Sequence, residues 1–158
     1  MDDIIKYLFS LLEKKQWKVV TAESCTGGMI AAAITDMAGS SAYFDRGFVT
    51  YSNEAKMEQL DVQPLTIERM GAVSEQTARL MARGAYAHSN ADIAVSVTGI
   101  AGPGGGSDEK PVGLVYIGLS TDDFAEVHKH HFDGDRASIR QQTVEVAIRH
   151  MIDYLESL

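Results

Sequence analysis

The chain has 158 residues, 45% hydrophobic and 23% charged, a size and balance that suit one globular domain and exclude a disordered polymer. A formal net charge of -8 with no cluster of Lys and Arg opposes binding to nucleic acid, although a small anionic metabolite is still permitted. One cysteine cannot close an internal disulfide, no apolar run is long enough to span a bilayer, and Met1 is followed by two aspartates rather than a basic and then apolar leader. A reducing cytoplasmic location with no membrane partner is therefore expected.

Residues 2–15 set Ile4, Ile5, Leu8, Leu11 and Leu12 on one helical stripe, and WKVVTA from Trp17 reads as a strand. The stretch TAESCTGGMIAAAI, Thr21–Ile34, then passes from apolar strand to small-residue helix, with a helix expected over 27–37 and Gly39 as its stop. FVTYS, Phe48–Ser52, is β-branched and aromatic and is expected to be a second strand leading into a short helix over Glu54–Leu60. Pro64 opens another short helix, and Ser74 a longer one reaching about His88.

Three strand-like segments follow with no helix between them: Asp92–Val97, Val112–Leu119 and Phe124–Phe132. At least one neighbouring pair is therefore expected to be antiparallel. The last helix starts near Asp135 and buries Val144, Ala147, Ile148, Met151 and Leu155. The sum is an α/β fold: one domain over residues 1–158, a three-layer α/β/α sandwich around a mixed, parallel and antiparallel, sheet.

Two places depart from plain core-building. At Glu23, Ser24, Cys25, Thr26, Gly27 and Gly28 a strand-to-helix turn offers unpaired amides at the positive end of a helix dipole, which suits a phosphate or the oxyanion of an attacked carbonyl; equally, Ser24 or Thr26 serves as an ordinary helix cap. The glycine-rich tract Gly99–Gly113 is either a flexible connection or backbone lying close to a ligand. Neither stretch matches the G-x-S-x-G elbow, the P-loop or the G-x-G-x-x-G pattern.

A serine nucleophile needs a base. His128, His130 and His131 fall in a polar strand, His88 near a helix end and His150 in the last helix, so solvated or edge-strand positions are expected for them. Lys56 stands in the first turn of a short helix, where a cation opposes the dipole; if desolvated it favours its neutral form and can act as a base, with Tyr51 as relay, or else it is a surface lysine. Arg136 occupies the same position in the last helix, as a phosphate clamp or a partner of Asp133 or Asp135. Cys25 is the alternative nucleophile, but neighbouring side chains at a strand end point oppositely, so only one of Ser24 and Cys25 faces a site.

TAESCTGG, AGSSAYFDRGFVTYSNEAK, GAVSEQTA, SVTGIAGPGGGSDEKPVGLVYIGL and FDGDRASIRQQTV together closely resemble the CinA C-terminal domain family, which includes nicotinamide mononucleotide deamidases. The resemblance implies hydrolysis of the nucleotide carboxamide to nicotinate mononucleotide and ammonia, in pyridine nucleotide salvage, with no metal or organic cofactor. It implies Ser24 as nucleophile, Lys56 as base and Tyr51 as assistant. It further implies substrate contacts from Glu23, Cys25, the Thr26-Gly27-Gly28 turn, the loop Thr98, Gly99, Ile100, Ala101 and Gly102, and Arg136. A homodimer is a further family expectation. Many members carry this domain behind a larger one, so the competing reading is a nucleotide-binding or regulatory module without turnover. A metal-dependent phosphate-ester hydrolase is a weaker rival, since no carboxylate cluster stands out.

Overall fold

In the computed structural model, which describes residues 1–158, the first strand β1 (Val19–Glu23) is buried at every position. Its side chains alternate, as a period of two requires: Val19 joins one apolar core and Val20 the other. A strand buried on both faces needs helices on both, and the chain supplies them.

Helix α1 (Asp2–Lys15) precedes β1, and α2 (Met29–Thr35), a single 3-10 turn, β2 (Phe44–Val49), α3 (Asn53–Leu60), α4 (Pro64–Met70) and α5 (Glu75–Ala87) follow it. Then come β3 (Ile93–Gly99), β4 (Leu114–Ser120), β5 (Ala125–His131) and α6 (Arg136–Glu156). The strands lie in the order β2-β1-β3-β4-β5, with β1 parallel to β2 and β3, and both later pairs antiparallel. The expected mixed sheet between two helical layers is thus present.

One layer holds α1, α2 and α6 over a core that includes Leu8, Leu12, Ile34, Ile117, Ile148 and Met151. The other holds α3 and α5 over a smaller core with Val20, Ala22, Leu60, Met81 and Ala85. Half of its eight residues are alanine, and α5 lies close to its neighbours. Ser96 Oγ donates to the Ala78 carbonyl at 2.6 Å, and a Cβ at Gly84 would stand 2.0 Å from the Leu60 carbonyl oxygen at the end of α3. No helix is long and apolar enough to cross a membrane.

Boundaries set by caps agree with the sequence reading. Ser52 accepts from the Ala55 amide at 3.0 Å, Ser74 from Thr77 at 3.1 Å, and Asp135 from Ser138 at 2.8 Å. Strand β2 does not: expected at Phe48–Ser52, it runs over Phe44–Val49. Pairing with β1 draws in Asp45, Arg46 and Gly47, which carry no β signal of their own, and Gly47 fits opposite Thr21 where a Cβ would stand 2.7 Å from Thr21 Oγ1. The chain then leaves the sheet. Helix α2 is also shorter than expected, because Gly27 (φ +58°) and Gly28 (φ +106°) are left-handed and lie outside it.

Strand β5 is an edge, as expected for the histidine-rich segment, yet two of its histidines turn toward α6. His130 Nε2 lies 2.7 Å from His150 Nε2, and the His128 ring stacks on His150 at 4.0 Å between centroids, with Glu126 Oε1 3.2 Å from His128 Nε2. Burial first, then the neighbouring His128 and His130, hold the His150 pKa down at about 4, and burial lowers that of His130.

Two outcomes follow from this packing. Gly84→Ala forces α5 away from α3 and is expected to lower unfolding free energy by about 1–3 kcal/mol in urea titrations, as overpacking does; an unchanged midpoint contradicts the close approach. A depressed histidine pKa means that the unfolded chain takes up protons first. The contribution of His150 is therefore complete above pH ~6.5, its ordinary range, and is lost as pH falls toward about 4. Thermal melts across that window should show a shallower decline for His150→Phe than for wild type.

Candidate active site

Three parallel strands end on the same side of the sheet, and this brings distant segments together. Beyond β1 comes Ser24, beyond β2 Thr50 and Tyr51, and β3 closes with Thr98 and Gly99. The Ser24 amide extends the ladder by donating to Val97 O at 3.1 Å, and the Thr50 amide donates to Glu23 O at 2.9 Å.

After Ser24 the chain reverses through Gly27, whose amide returns to Ser24 O at 3.1 Å. The fully buried Glu23 carboxylate accepts from Thr26 Oγ1 at 2.5 Å and from the Ile30 and Ala31 amides at 2.8 and 3.0 Å, while the Met29 amide reaches Thr26 O at 3.1 Å. The anion site expected at the start of α2 is therefore already occupied by a carboxylate from within the chain. Thr26 is buried with its hydroxyl on Glu23, so both side chains, expected as substrate contacts, serve the turn and do not line the cavity. The amide of Cys25, directly after Ser24, donates to no other residue of the protein.

Lys56 is 1% exposed. Its Nζ stands 3.0 Å from Ser24 Oγ, 3.0 Å from Thr50 O and 3.0 Å from Tyr51 O. No carboxylate is paired with it, and burial pushes its pKa below the ordinary 10.5. A neutral amine has two N–H groups and one lone pair, which match two carbonyls and one hydroxyl donor. Ser24 Oγ also approaches Tyr51 O at 3.4 Å. Tyr51 thus meets the pair through its carbonyl, while the residue as a whole is 62% exposed.

The cavity over this pair has a volume of about 220 Å³. It is lined by Ser24, Cys25, Tyr51 and Lys56 together with Thr98, Gly99, Ala101 and Arg136. Thr98 Oγ1 is held by the Ala72 carbonyl at 2.8 Å. Arg136 does not pair with Asp133 or Asp135; its Nη1 donates to Gly102 O at 2.7 Å and ties the glycine-rich loop to the start of α6. Ile100 bridges to β4, its amide donating to Leu114 O at 2.9 Å, and braces that loop without lining the cavity. Cys25 belongs to the apolar core, and burial pushes its thiol pKa up to about 12, so it is no ready thiolate.

Four contributors escaped the sequence reading. Ala72 and Val73, in the turn before α5, and Asn53, at the start of α3, line the cavity. Arg140 donates from Nε to Cys25 O at 3.0 Å and from Nη2 to Thr26 O at 3.2 Å. Its only sequence signal is the spacing of four from Arg136 in DRASIR, which puts both arginines on one helix face.

A family model described as the CinA C-terminal domain matches residues 1–155. The chain is 55% identical over 146 residues to a protein of Enterobacter agglomerans named nicotinamide-nucleotide amidohydrolase PncC, covering 89% of each. A longer protein of Caldicellulosiruptor bescii, named for competence-damage induction, is 53% identical over 151 residues, and this chain spans only 37% of its length. Among solved structures, the competence/damage inducible protein CihA of Agrobacterium tumefaciens superposes with a TM-score of 0.93 at 47% identity, covering 98% of this chain and 94% of that one. A CinA superfamily protein of Klebsiella pneumoniae gives 0.95 at 35% identity, covering 99% and 98%. With its match running almost from end to end, the chain belongs to the CinA C-terminal domain family.

Proposed function

We propose that the chain is a nicotinamide-nucleotide amidohydrolase that works through a Ser24 nucleophile and a neutral Lys56 base in pyridine nucleotide salvage. The observation that carries this reading is the 3.0 Å contact of a buried, carboxylate-free Lys56 amine with Ser24 Oγ. The name of the Enterobacter agglomerans relative, at 55% identity, supports the substrate class.

Lys56 takes the Ser24 proton as Oγ attacks the carboxamide carbon, directly and with no relay. The Cys25 amide stands ready for the oxyanion. As the tetrahedral adduct collapses, Lys56 returns the proton to the departing nitrogen. Ammonia leaves and an ester remains on Ser24. Water, deprotonated by Lys56, then attacks the ester and releases the nicotinate nucleotide. Tyr51 contributes the carbonyl that orients the amine, and its exposed side chain is positioned to meet substrate.

A cavity of about 220 Å³ is smaller than pockets that enclose a whole drug-sized ligand. It suits the reacting pyridine end, leaving ribose and phosphate to extend toward Arg136 and the glycine-rich loop. A module that only binds nucleotide does not require an amine buried against a serine hydroxyl, a placement that costs stability.

Ammonia release from nicotinamide mononucleotide by purified protein tests the reading. Ser24→Ala and Lys56→Ala, checked for folding by circular dichroism, are expected to lose at least about 10²-fold in kcat. Retained release by Ser24→Ala contradicts the nucleophile. The pH profile gives an independent check. Because neutral Lys56 is the active form, kcat/KM should rise with pH and level off below the ordinary lysine value of 10.5, and Lys56→Arg should be inactive across the range.

A further inference from the structure

Arg140 lies on α6, more than a hundred residues from the nucleophile in sequence, and its guanidinium reaches across to the turn that carries it. Of the four carbonyls from Glu23 to Thr26, the amides of Thr50, Gly27 and Met29 take those of residues 23, 24 and 26. The carbonyl of Cys25 is held by Arg140 Nε alone, at 3.0 Å. Arg140 Nη2 also reaches Thr26 O at 3.2 Å, and its contact partners here are carbonyls and not carboxylates. Gly27 supplies the left-handed backbone of this turn (φ +58°); a Cβ there would meet Arg140 Nη2 at 3.5 Å, an ordinary contact distance.

The geometry of a planar peptide converts that grip into aim. The Ser24–Cys25 plane is set on one side by the Gly27 bond to Ser24 O, and the Cys25–Thr26 plane by Arg140. With both planes fixed, the Cys25 backbone between them has no freedom left. Its amide keeps one direction and donates to no other residue, its one partner of that kind being the Cys25 thiol itself, while the residue lines the cavity beside Ser24. We propose that Arg140 is a positioning residue for the reaction: its bonds to the Cys25 and Thr26 carbonyls keep the Cys25 amide aimed as the oxyanion donor. This inference rests on the Ser24 nucleophile proposed above.

The test compares wild type, Arg140→Ala, Arg140→Lys and Arg136→Ala in steady-state ammonia release, with calorimetric binding of nicotinate mononucleotide to each. Loss of an oriented oxyanion donor acts on the transition state, so Arg140→Ala should lower kcat by about 10²-fold while KM and product affinity stay within about threefold. Arg140→Lys, which keeps the charge and one donor, should recover part of the loss and guards against a variant that fails to fold. Arg136→Ala should instead raise KM. Wild-type kcat in Arg140→Ala overturns the positioning role and leaves the amidohydrolase reading intact, as does an equal loss of kcat and product affinity, which means general collapse of the turn. Absence of ammonia release by wild type, or its retention by Ser24→Ala, overturns the nucleophile and the positioning role together.

Discussion

Everything at this site depends on one buried contact, the amine of Lys56 against the hydroxyl of Ser24. An ammonium taken out of water with no counter-ion costs on the order of several kcal/mol. The protein lowers that cost by favouring the neutral amine and by giving its N–H groups the Thr50 and Tyr51 carbonyls. The same two bonds point the lone pair toward Ser24 Oγ. Desolvation and orientation thus come from a single arrangement, and both are what a general base at moderate pH requires.

The fold supplies that arrangement through chain direction. Because β2, β1 and β3 run parallel, the segments leaving their carboxyl ends converge, and the serine, the two carbonyls and Thr98–Gly99 arrive at one place. Helix α3 brings Lys56 in through the smaller core, where Gly84 lets α5 press against the end of α3. Glu23 fixes the turn from inside by taking the first amides of α2, a position that in many anion-binding folds is left open to ligand. The α2 terminus thus serves the scaffold, and in the function proposed here charge on a substrate falls to Arg136 and the glycine-rich loop.

Much of the fold is legible in the sequence because its signals are local. Ser74 and Asp135 mark helix starts by their own side chains, and three strand-like segments with no helix between them require antiparallel pairing. Strand β2 was misplaced because tertiary pairing with β1, not propensity, draws in Asp45–Arg46–Gly47. At the site, residue chemistry left Ser24 and Cys25, and a buried or surface Lys56, as open alternatives until the family resemblance chose among them; that family membership is borne out over residues 1–155. Arg140 gave almost no signal, since its partners are main-chain carbonyls far away in sequence. The turn toward α6 of His128 and His130 was hidden for the same reason: only the docking of α6 decides which edge-strand histidines lose water.

The most direct test of the Lys56–Ser24 pair is the protonation state of Lys56 itself, read by NMR titration of its side-chain resonances and assigned with Lys56→Arg. A midpoint below 10.5, moving upward when Ser24 and its surroundings are opened to water by a Ser24→Gly change, is the result predicted here. A midpoint at or above the ordinary lysine value would mean a charged amine at pH 7, unable to accept the serine proton, and would contradict the account.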